Sequence, residues 1–252
     1  MIMIKKTAVL FFILTLFTTQ SASAQNEECN LGQGDFEKLQ SVTHDSSLGY
    51  FDKIKRELQI RKELLRATLH CAVSDAEDIK TGLDKVTLND QGAANLQSQF
   101  ANQLDNAIGY YKIQESKIGD LGLQGSKDFA KNLESWREGN YTQMAQMATH
   151  FLIWAKNQVL METAQARMDQ TSQSVTLLKL VYNEEIQNLW KKADGSFFEA
   201  KRLNQEARSD LMTKTPDEAL AAIKASLDSL SKTYERLSEV VSAINKALAL
   251  PE

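Results

Sequence analysis

The most regular hydrophobic pattern of the chain runs from Leu220 to Leu248, near the C-terminus. Apolar residues alternate there at spacings of three and four, which is the pattern of a helix with one buried seam. We predict that the seam consists of Leu220, Ile223, Leu227, Leu230, Tyr234, Leu237, Val241, Ile244 and Leu248. Leu220, Leu227, Tyr234, Val241 and Leu248 take heptad position a, and the other four take position d.

The residues beside this seam indicate where its partner lies. Free two-stranded coiled coils commonly carry Glu and Lys at positions e and g, whereas this helix has mostly small residues there, such as Ala219, Ser226 and Ser231. We therefore expect the seam to pack inside a multi-helix bundle, against the preceding apolar stripe at 189–211, which the short connection TKT makes antiparallel. This arrangement favours a monomer, and self-association through the seam is the alternative.

Apolar stripes of helical period also occupy the rest of the chain. They predict helices over about 46–86 and 91–121, a short helix that Gly139 ends, and further helix from about Tyr141 onward. The only prolines are Pro216 and Pro251, and strand-like alternation is missing. The pattern predicts an all-α fold, an elongated antiparallel helical bundle with long coiled-coil-like helices.

Some helix boundaries have clear sequence signals and others do not. In TPDE, Thr215 can cap a helix that has Pro216 in its first position and Glu218 completing a capping box. Breaks near 170 or at Gly195 are both compatible with the sequence, so it stays open whether 141–213 is one helix. We expect a first helical bundle over 45–170 and a C-terminal helical hairpin over 171–252.

The N-terminus has the parts of a secretory signal peptide. Lys5 and Lys6 precede a short apolar run, and QSASA supplies a small-residue cleavage site. We predict removal of residues 1–24, with cleavage between Ala24 and Gln25, and a periplasmic or extracellular location. The alternative is a retained anchor, but the apolar run is shorter than the ~20 residues of a spanning helix.

Two cysteines, Cys29 and Cys71, remain in the predicted mature chain. In an exported protein such a pair usually forms one disulfide, and this bond would tether the N-terminal arm 25–44 to the first long helix. A redox-active pair is the alternative, but the C-x-x-C spacing that tunes thiol reactivity is missing.

Composition and motifs argue against an enzyme. The net charge of −4 does not suit nucleic acid, and no phosphate loop or nucleophile elbow is present. His44, His70 and His150 form no Glu-x-x-His pair, and the acidic cluster Asp75, Glu77 and Asp78 is typical of a solvated helix face. We therefore expect no cofactor and no metal.

The leading functional hypothesis is an exported, non-enzymatic helical interaction or scaffold protein with a protein partner. Two alternatives stay open. The wide apolar face with Met and Trp over 144–161 could make a ligand-binding or sensory bundle. The basic amphipathic stretch 53–66 could bind a membrane surface, or act in a chaperone-like way.

Overall fold

A computed structural model describes Cys29, residues 33–88 and residues 90–249 of the chain. These residues form helices joined by short turns, with no strand among them, which confirms the all-α prediction. The predicted signal peptide and its cleavage site, Ala24 and Gln25, lie outside the described residues. The α-helices are α1 (Gln33–His44), α2 (Tyr50–Asp84), α3 (Gln91–Lys117), α4 (Leu123–Trp136), α5 (Gln143–Leu177), α6 (Glu184–Thr213) and α7 (Pro216–Ala249).

The chain divides into two compact units, each built from two segments. Within the described residues, unit 1 comprises those up to Asp78 together with Leu104–Thr142, and unit 2 comprises Ile79–Gln103 together with those from Gln143 onward. The boundary expected at residue 170 lies inside helix α5.

The helix end predicted at Gly139 is not observed. Gly139 does not stop α4, because the chain stays helical through a π-helical segment, Arg137–Thr142, that leads directly into α5. A π-helical turn holds one extra residue, so it changes the direction in which the following side chains point. Tyr141 lies in this segment with its side chain buried.

The region 141–213 is broken neither near 170 nor at Gly195. The break is a 3-10 turn, Leu180–Tyr182, after which the Asn183 side chain accepts a hydrogen bond from the Ile186 backbone N–H at 3.1 Å and caps α6. Gly195 lies within α6, where a single glycine costs only about 1 kcal/mol.

The start of α7 confirms the predicted capping box. The Thr215 hydroxyl accepts a hydrogen bond from the Glu218 backbone N–H at 3.4 Å. In return, the Glu218 carboxylate accepts one from the Thr215 backbone N–H at 3.0 Å.

Unit 1 has an aromatic core next to its π-helical segment. Tyr110 stacks on Trp136 with 3.7 Å between ring centroids. Tyr111 is fully buried and meets Trp136 and Tyr141 edge-on, at 5.3 and 5.6 Å. The Tyr141 hydroxyl donates a hydrogen bond of 2.7 Å to the Asp75 carboxylate. Rings in these orientations add attraction beyond their buried area.

Small residues line the contact between α6 and α7 in unit 2. The Ser226 hydroxyl donates to the Ala200 carbonyl at 3.2 Å, and the Ser229 hydroxyl donates to the Ser196 carbonyl at 3.1 Å. These bonds fix an antiparallel register, in which Ala193 lies level with Thr233 and Ala207 lies level with Ala219. All six residues at these three levels are fully buried: Ala193, Ala200, Ala207, Ala219, Ser226 and Thr233. Such small side chains let two helix backbones approach closely.

Helix α5 contacts both α6 and α7 through the buried side chain of Asn157. The Asn157 amide donates to the Asn204 side chain at 3.1 Å and to the Ser226 hydroxyl at 3.0 Å, and the Trp154 indole donates to the Asn204 carbonyl. Next to these contacts lies a hydrophobic cluster that includes Met161, Met168, Phe197, Leu230 and Leu237. The three helices therefore share one core.

Candidate functional site

The face that α7 buries is rotated away from the predicted seam. The d positions Ile223, Leu230, Leu237 and Ile244 are buried, as predicted. The a positions are not: Leu220, Leu227 and Tyr234 are half-buried, while Val241 and Leu248 are 46% and 55% exposed. The g positions Ala219, Ser226, Thr233 and Val240 are fully buried instead. Because these g residues are small, α6 approaches on that side, and the a positions are left at the edge of the core.

The exposed end of the a stripe belongs to a larger apolar surface at one end of unit 2. A hydrophobic cluster there combines Ile186, Val240, Ala243 and Ile244 with Val175 of α5 and Leu180 of the turn. We define the end patch as the exposed apolar residues from the same chain segments as this cluster, at the end of α5, in the following turn and near the end of α7: Leu177, Leu178, Tyr182, Val241 and Leu248.

The turn that carries much of the end patch has an unusual composition. It reads LLKLVY over 177–182, whereas turns between helices usually contain Gly, Asn, Asp, Ser or Pro. Its one polar residue, Lys179, adopts a left-handed conformation with φ of 57°, which costs a non-glycine residue roughly 1–2 kcal/mol. Leu180 packs on the cluster below, but Tyr182 and Leu177 are 92% and 82% exposed. Folding of unit 2 therefore does not account for these two side chains.

Charges of both signs occur in the same chain segments as the end patch. They are Lys179 of the turn, Glu184 and Glu185 of α6, and Lys246 of α7. All four side chains are exposed. Glu184 and Glu185 occupy the first turn of α6 and Lys246 the last turn of α7, where the helix dipoles favour these signs.

Two of the five patch residues, Val241 and Leu248, belong to the seam that was predicted to be buried. No sequence signal singles out the other three, because Leu178 and Tyr182 fall at helical spacing with Val175, Ile186 and Leu189.

The predicted disulfide between Cys29 and Cys71 is not formed in the structure, where both are free thiols. The two side chains nevertheless lie close enough for Cys29 to affect the pKa of Cys71. Burial, together with this proximity, raises the pKa of the Cys71 thiol to about 12, so the thiol is protonated at neutral pH.

The histidines and the acidic cluster lie in separate surroundings. The described residues contain no group of three or more His, Cys, Asp or Glu side chains that could hold a metal ion. His44 contacts the Gln40 carbonyl through Nδ1 at 2.8 Å. Asp75 accepts its bond from Tyr141, and Glu77 forms an ion pair with Lys112 at 3.2 Å.

The side chains suggested for ligand binding over 144–161 belong largely to the core. Met147, Phe151, Trp154 and Met161 are buried in unit 2. Phe151 is in ring contact with both Phe100 and Trp154. Core packing thus accounts for these four side chains, whereas Val159 and Leu160 of the same stretch are 63% and 45% exposed.

The first three turns of α2 form a second exposed surface, which contains the beginning of the basic stretch 53–66. Tyr50 and Phe51 make an edge-on pair at 5.7 Å and are 74% and 83% exposed. Lys55 and Arg56 are also exposed, and the first buried residue along α2 is Leu64. We call Tyr50, Phe51, Lys55 and Arg56 the α2 tip. None of the helices in the described part of the chain combines the length and apolarity needed to span a membrane.

Comparison with known proteins adds no family to these observations. Neither protein-family descriptions, nor curated proteins, nor solved structures give a match to this chain.

Proposed function

We propose that the chain is a non-enzymatic helical interaction protein, exported to the periplasm or the extracellular space, that binds a protein partner through the end patch. The observation that carries this proposal is the exposure of Leu177 and Tyr182 beside Leu180, which packs on a buried hydrophobic cluster. Large apolar side chains grouped at the surface typically mark contact sites.

The geometry of the end patch favours a protein over a small molecule. Small-molecule sites are concave and bury most of their ligand, whereas Tyr182 and Leu177 project into solvent from a turn. A projecting tyrosine next to leucines is the kind of anchor that inserts into a partner protein, since tyrosine is enriched among the residues that dominate binding energy.

Photo-cross-linking in the producing cell tests this proposal. We would place p-benzoylphenylalanine at Tyr182, and at Phe198 as the control, because Phe198 is an exposed aromatic residue of unit 2 outside the end patch. We expect a discrete protein adduct at position 182 and none at position 198. Absence of any protein adduct at 182, in a chain that is folded and exported, would overturn the proposal.

A second candidate function is binding to an anionic membrane surface through the α2 tip. Its basis is the pairing of two exposed aromatic rings with Lys55 and Arg56, next to which no carboxylate within the described residues lies at ion-pair distance. Aromatic rings suit the membrane interface, and basic side chains suit anionic headgroups.

Co-sedimentation with vesicles tests this second function. We expect binding to vesicles containing phosphatidylglycerol at low salt, less binding at high salt, and less still for Lys55→Gln/Arg56→Gln. Lys191→Gln/Lys192→Gln removes the same charge from exposed positions in unit 2 and is the matched control. Failure to bind anionic vesicles even at low salt would exclude it.

The disulfide also remains a proposal, supported by the proximity of the Cys29 and Cys71 thiols. Each thiol would lose its proton and one electron to a disulfide oxidant, such as oxidised glutathione, which is reduced to two thiols. Closing a loop of about 42 residues would stabilise unit 1 by roughly 4 kcal/mol. Alkylation of the exported protein under denaturing conditions tests this, because two labelled thiols without reductant would contradict it.

A further inference from the structure

We propose that the buried hydrogen bond between Asn157 of α5 and Asn204 of α6 sets the register of these two helices, and thereby determines where the chain turns between them. The proposal concerns the core of unit 2 and does not rest on a partner at the end patch. Buried asparagines have this role in coiled coils, where a single one fixes the pairing of the helices at a cost in stability.

The apolar side chains of α5 and α6 do not by themselves define a register. The buried apolar residues of α5 include a stripe spaced by seven: Met147, Trp154, Met161 and Met168. Helix α6 buries alanine at 193, 200 and 207, also spaced by seven. Displacing α6 along α5 by one heptad, about 10 Å, therefore brings alanine to levels that alanine already occupied. Methionine side chains adapt readily to such a change, so apolar packing tolerates more than one register.

The turn between α5 and α6 does not define the register either. Asn183 caps α6 in this turn, but Lys179 adopts a left-handed conformation that costs a non-glycine residue a free energy of similar size. The turn between α6 and α7 is different, because Thr215 and Glu218 form a capping box around Pro216. Local sequence therefore specifies the second turn more firmly than the first.

The amide of Asn157 distinguishes the observed register from its neighbours. Asn157 is 1% exposed, and its Nδ2 atom donates to Asn204 Oδ1 at 3.1 Å and to the Ser226 hydroxyl at 3.0 Å. The residues one heptad before and after Asn204 are Phe197 and Leu211, which are both buried. Moving α6 by one heptad places one of these apolar side chains opposite Asn157. Both asparagines then lose the bond between them, which is costly inside a core.

Other hydrogen bonds between these helices are less selective. The Trp154 indole donates to the backbone carbonyl of Asn204, and the Ser226 hydroxyl donates to that of Ala200. Every residue of a helix has such a carbonyl, so a displaced helix supplies the same kind of acceptor one heptad away. The bond between Asn157 and Asn204 needs two particular side chains.

Stability alone does not explain the amide pair. Asn157 Oδ1 is buried and accepts no hydrogen bond within the described residues. An unsatisfied buried acceptor is unfavourable, and replacing both partners of a buried pair by apolar residues of similar shape is often neutral or stabilising. Two leucines should therefore serve the core at least as well, and what the asparagines add is a single register.

Fluorine NMR of protein labelled with 5-fluorotryptophan tests the inference. Trp154 reports on α5 and Trp190 on α6, whereas Trp136 lies in unit 1 and is the internal control. We expect one resonance from each of the three tryptophans in the wild type, assigned through single Trp→Phe variants. In Asn157→Leu/Asn204→Leu, Trp154 and Trp190 should give additional resonances with roughly a tenth of the signal or more, while Trp136 stays single.

Thr233→Val is the matched control for the double variant. The Thr233 hydroxyl is fully buried but donates within α7, to the Ser229 carbonyl at 3.0 Å, so its removal breaks no contact between helices. Each tryptophan should keep one resonance in this variant. The double variant should unfold at a urea concentration no lower than the wild type. Asn157→Leu alone should lower the folding equilibrium constant by about tenfold to a hundredfold, because Asn204 then stays buried without its partner.

Hydrogen exchange followed by mass spectrometry locates the turn directly. Moving α6 by one heptad moves the turn by about one helical turn along the sequence. Fast exchange should centre on the segment 178–183 in the wild type and extend about one helical turn beyond it in the double variant.

Single resonances for all three tryptophans in the double variant, with exchange unchanged around 178–183, would overturn the inference. Asn157→Ala/Asn204→Ala removes the same bond without leucine side chains and should also give additional resonances, so the test does not depend on how leucine fits the core. Failure of both double variants to fold would overturn the inference as well, because the amide pair would then be required for stability and not for register.

Discussion

The ring cluster of unit 1 and the contact between α6 and α7 in unit 2 are packed by opposite means. Unit 1 fills its core with rings, among which Tyr111 and Tyr141 are almost completely buried. Unit 2 instead places alanine at 193, 200 and 207 against Ala219, Ser226 and Thr233, so that serine hydroxyls reach the carbonyls of the neighbouring helix. The ring cluster of unit 1 should therefore be sensitive to lost volume, and the α6–α7 contact of unit 2 to added volume.

The largest effect should follow from Tyr111→Ala in unit 1. This change leaves a cavity beneath Trp136 and beside Tyr141, and losses of a buried aromatic side chain cost about 3–5 kcal/mol of unfolding free energy. Urea unfolding measures the loss, and hydrogen exchange followed by mass spectrometry assigns it to a unit. Equal loss of protection in peptides from both units would contradict the separation drawn here.

Ala200→Leu should be the most damaging single change of the opposite kind, in unit 2. Ala200 is fully buried, and its carbonyl accepts the Ser226 hydrogen bond, so three added carbons must push α7 away at a cost of about 1–3 kcal/mol.

Gly195→Ala is the control for Ala200→Leu, because a methyl group there would meet no neighbouring side chain within 4 Å. It should stabilise α6 by about 0.5–1 kcal/mol. Both variants are measured by urea unfolding, and destabilisation of the same size in both would refute close packing as the cause.

Two tyrosine-to-phenylalanine changes within unit 1 should have different effects on the free energy of unfolding. Tyr141→Phe removes the donor to Asp75 and should destabilise by about 1–3 kcal/mol. The Tyr111 hydroxyl is buried with no hydrogen-bond partner within the described residues, so Tyr111→Phe should be neutral or stabilising. Burial raises the pKa of both phenols, so both are neutral over the ordinary pH range. Urea unfolding of the pair decides this, and loss of stability in Tyr111→Phe would reveal a missing partner.

The smallest effect concerns pH and should arise in unit 2. Burial lowers the pKa of His150 below the ordinary value of 6.5, while Asp217 opposes this and Lys224 adds to it. The folded state then binds fewer protons than the unfolded state. The contribution of neutral His150 to stability is full above pH 6.5 and is lost as the pH falls through the lowered pKa. Urea unfolding between pH 7 and 5 should show that the unfolding free energy depends less steeply on pH in His150→Gln than in the wild type. An unchanged slope would contradict this role of His150.

Much of the fold follows from local sequence. The Thr215–Glu218 capping box and the buried d positions such as Ile223 and Leu230 needed only helical period and end chemistry. Other features depend on contacts far along the chain. The π-helical segment accompanies the contact of Tyr141 with Asp75, which is 66 residues away.

The end patch could be predicted only in part, for a similar reason. Rotation of the buried face of α7 toward Ser226 depends on the small side chain of Ala200 on the facing helix, which a heptad assignment for one helix does not consider. The turn at 180–182 contains neither glycine nor proline, so no local signal separated it from helix. The exposure of Tyr182 follows from that turn.

The division of the chain into interleaved segments has a consequence for biosynthesis. As the polypeptide emerges N-terminus first, unit 1 has all its segments once residue 142 is out, whereas unit 2 must wait for the segment that begins at Gln143. Until then, residues 79–103 hold Leu83, Leu96 and Phe100 without the α5 side chains that cover this segment, such as Phe151. At ~5–20 residues per second this interval lasts on the order of ten seconds. During synthesis, the hydrophobic segment 79–103 therefore stays uncovered between the two segments of unit 1. A chaperone that binds unfolded chains would be needed at this segment.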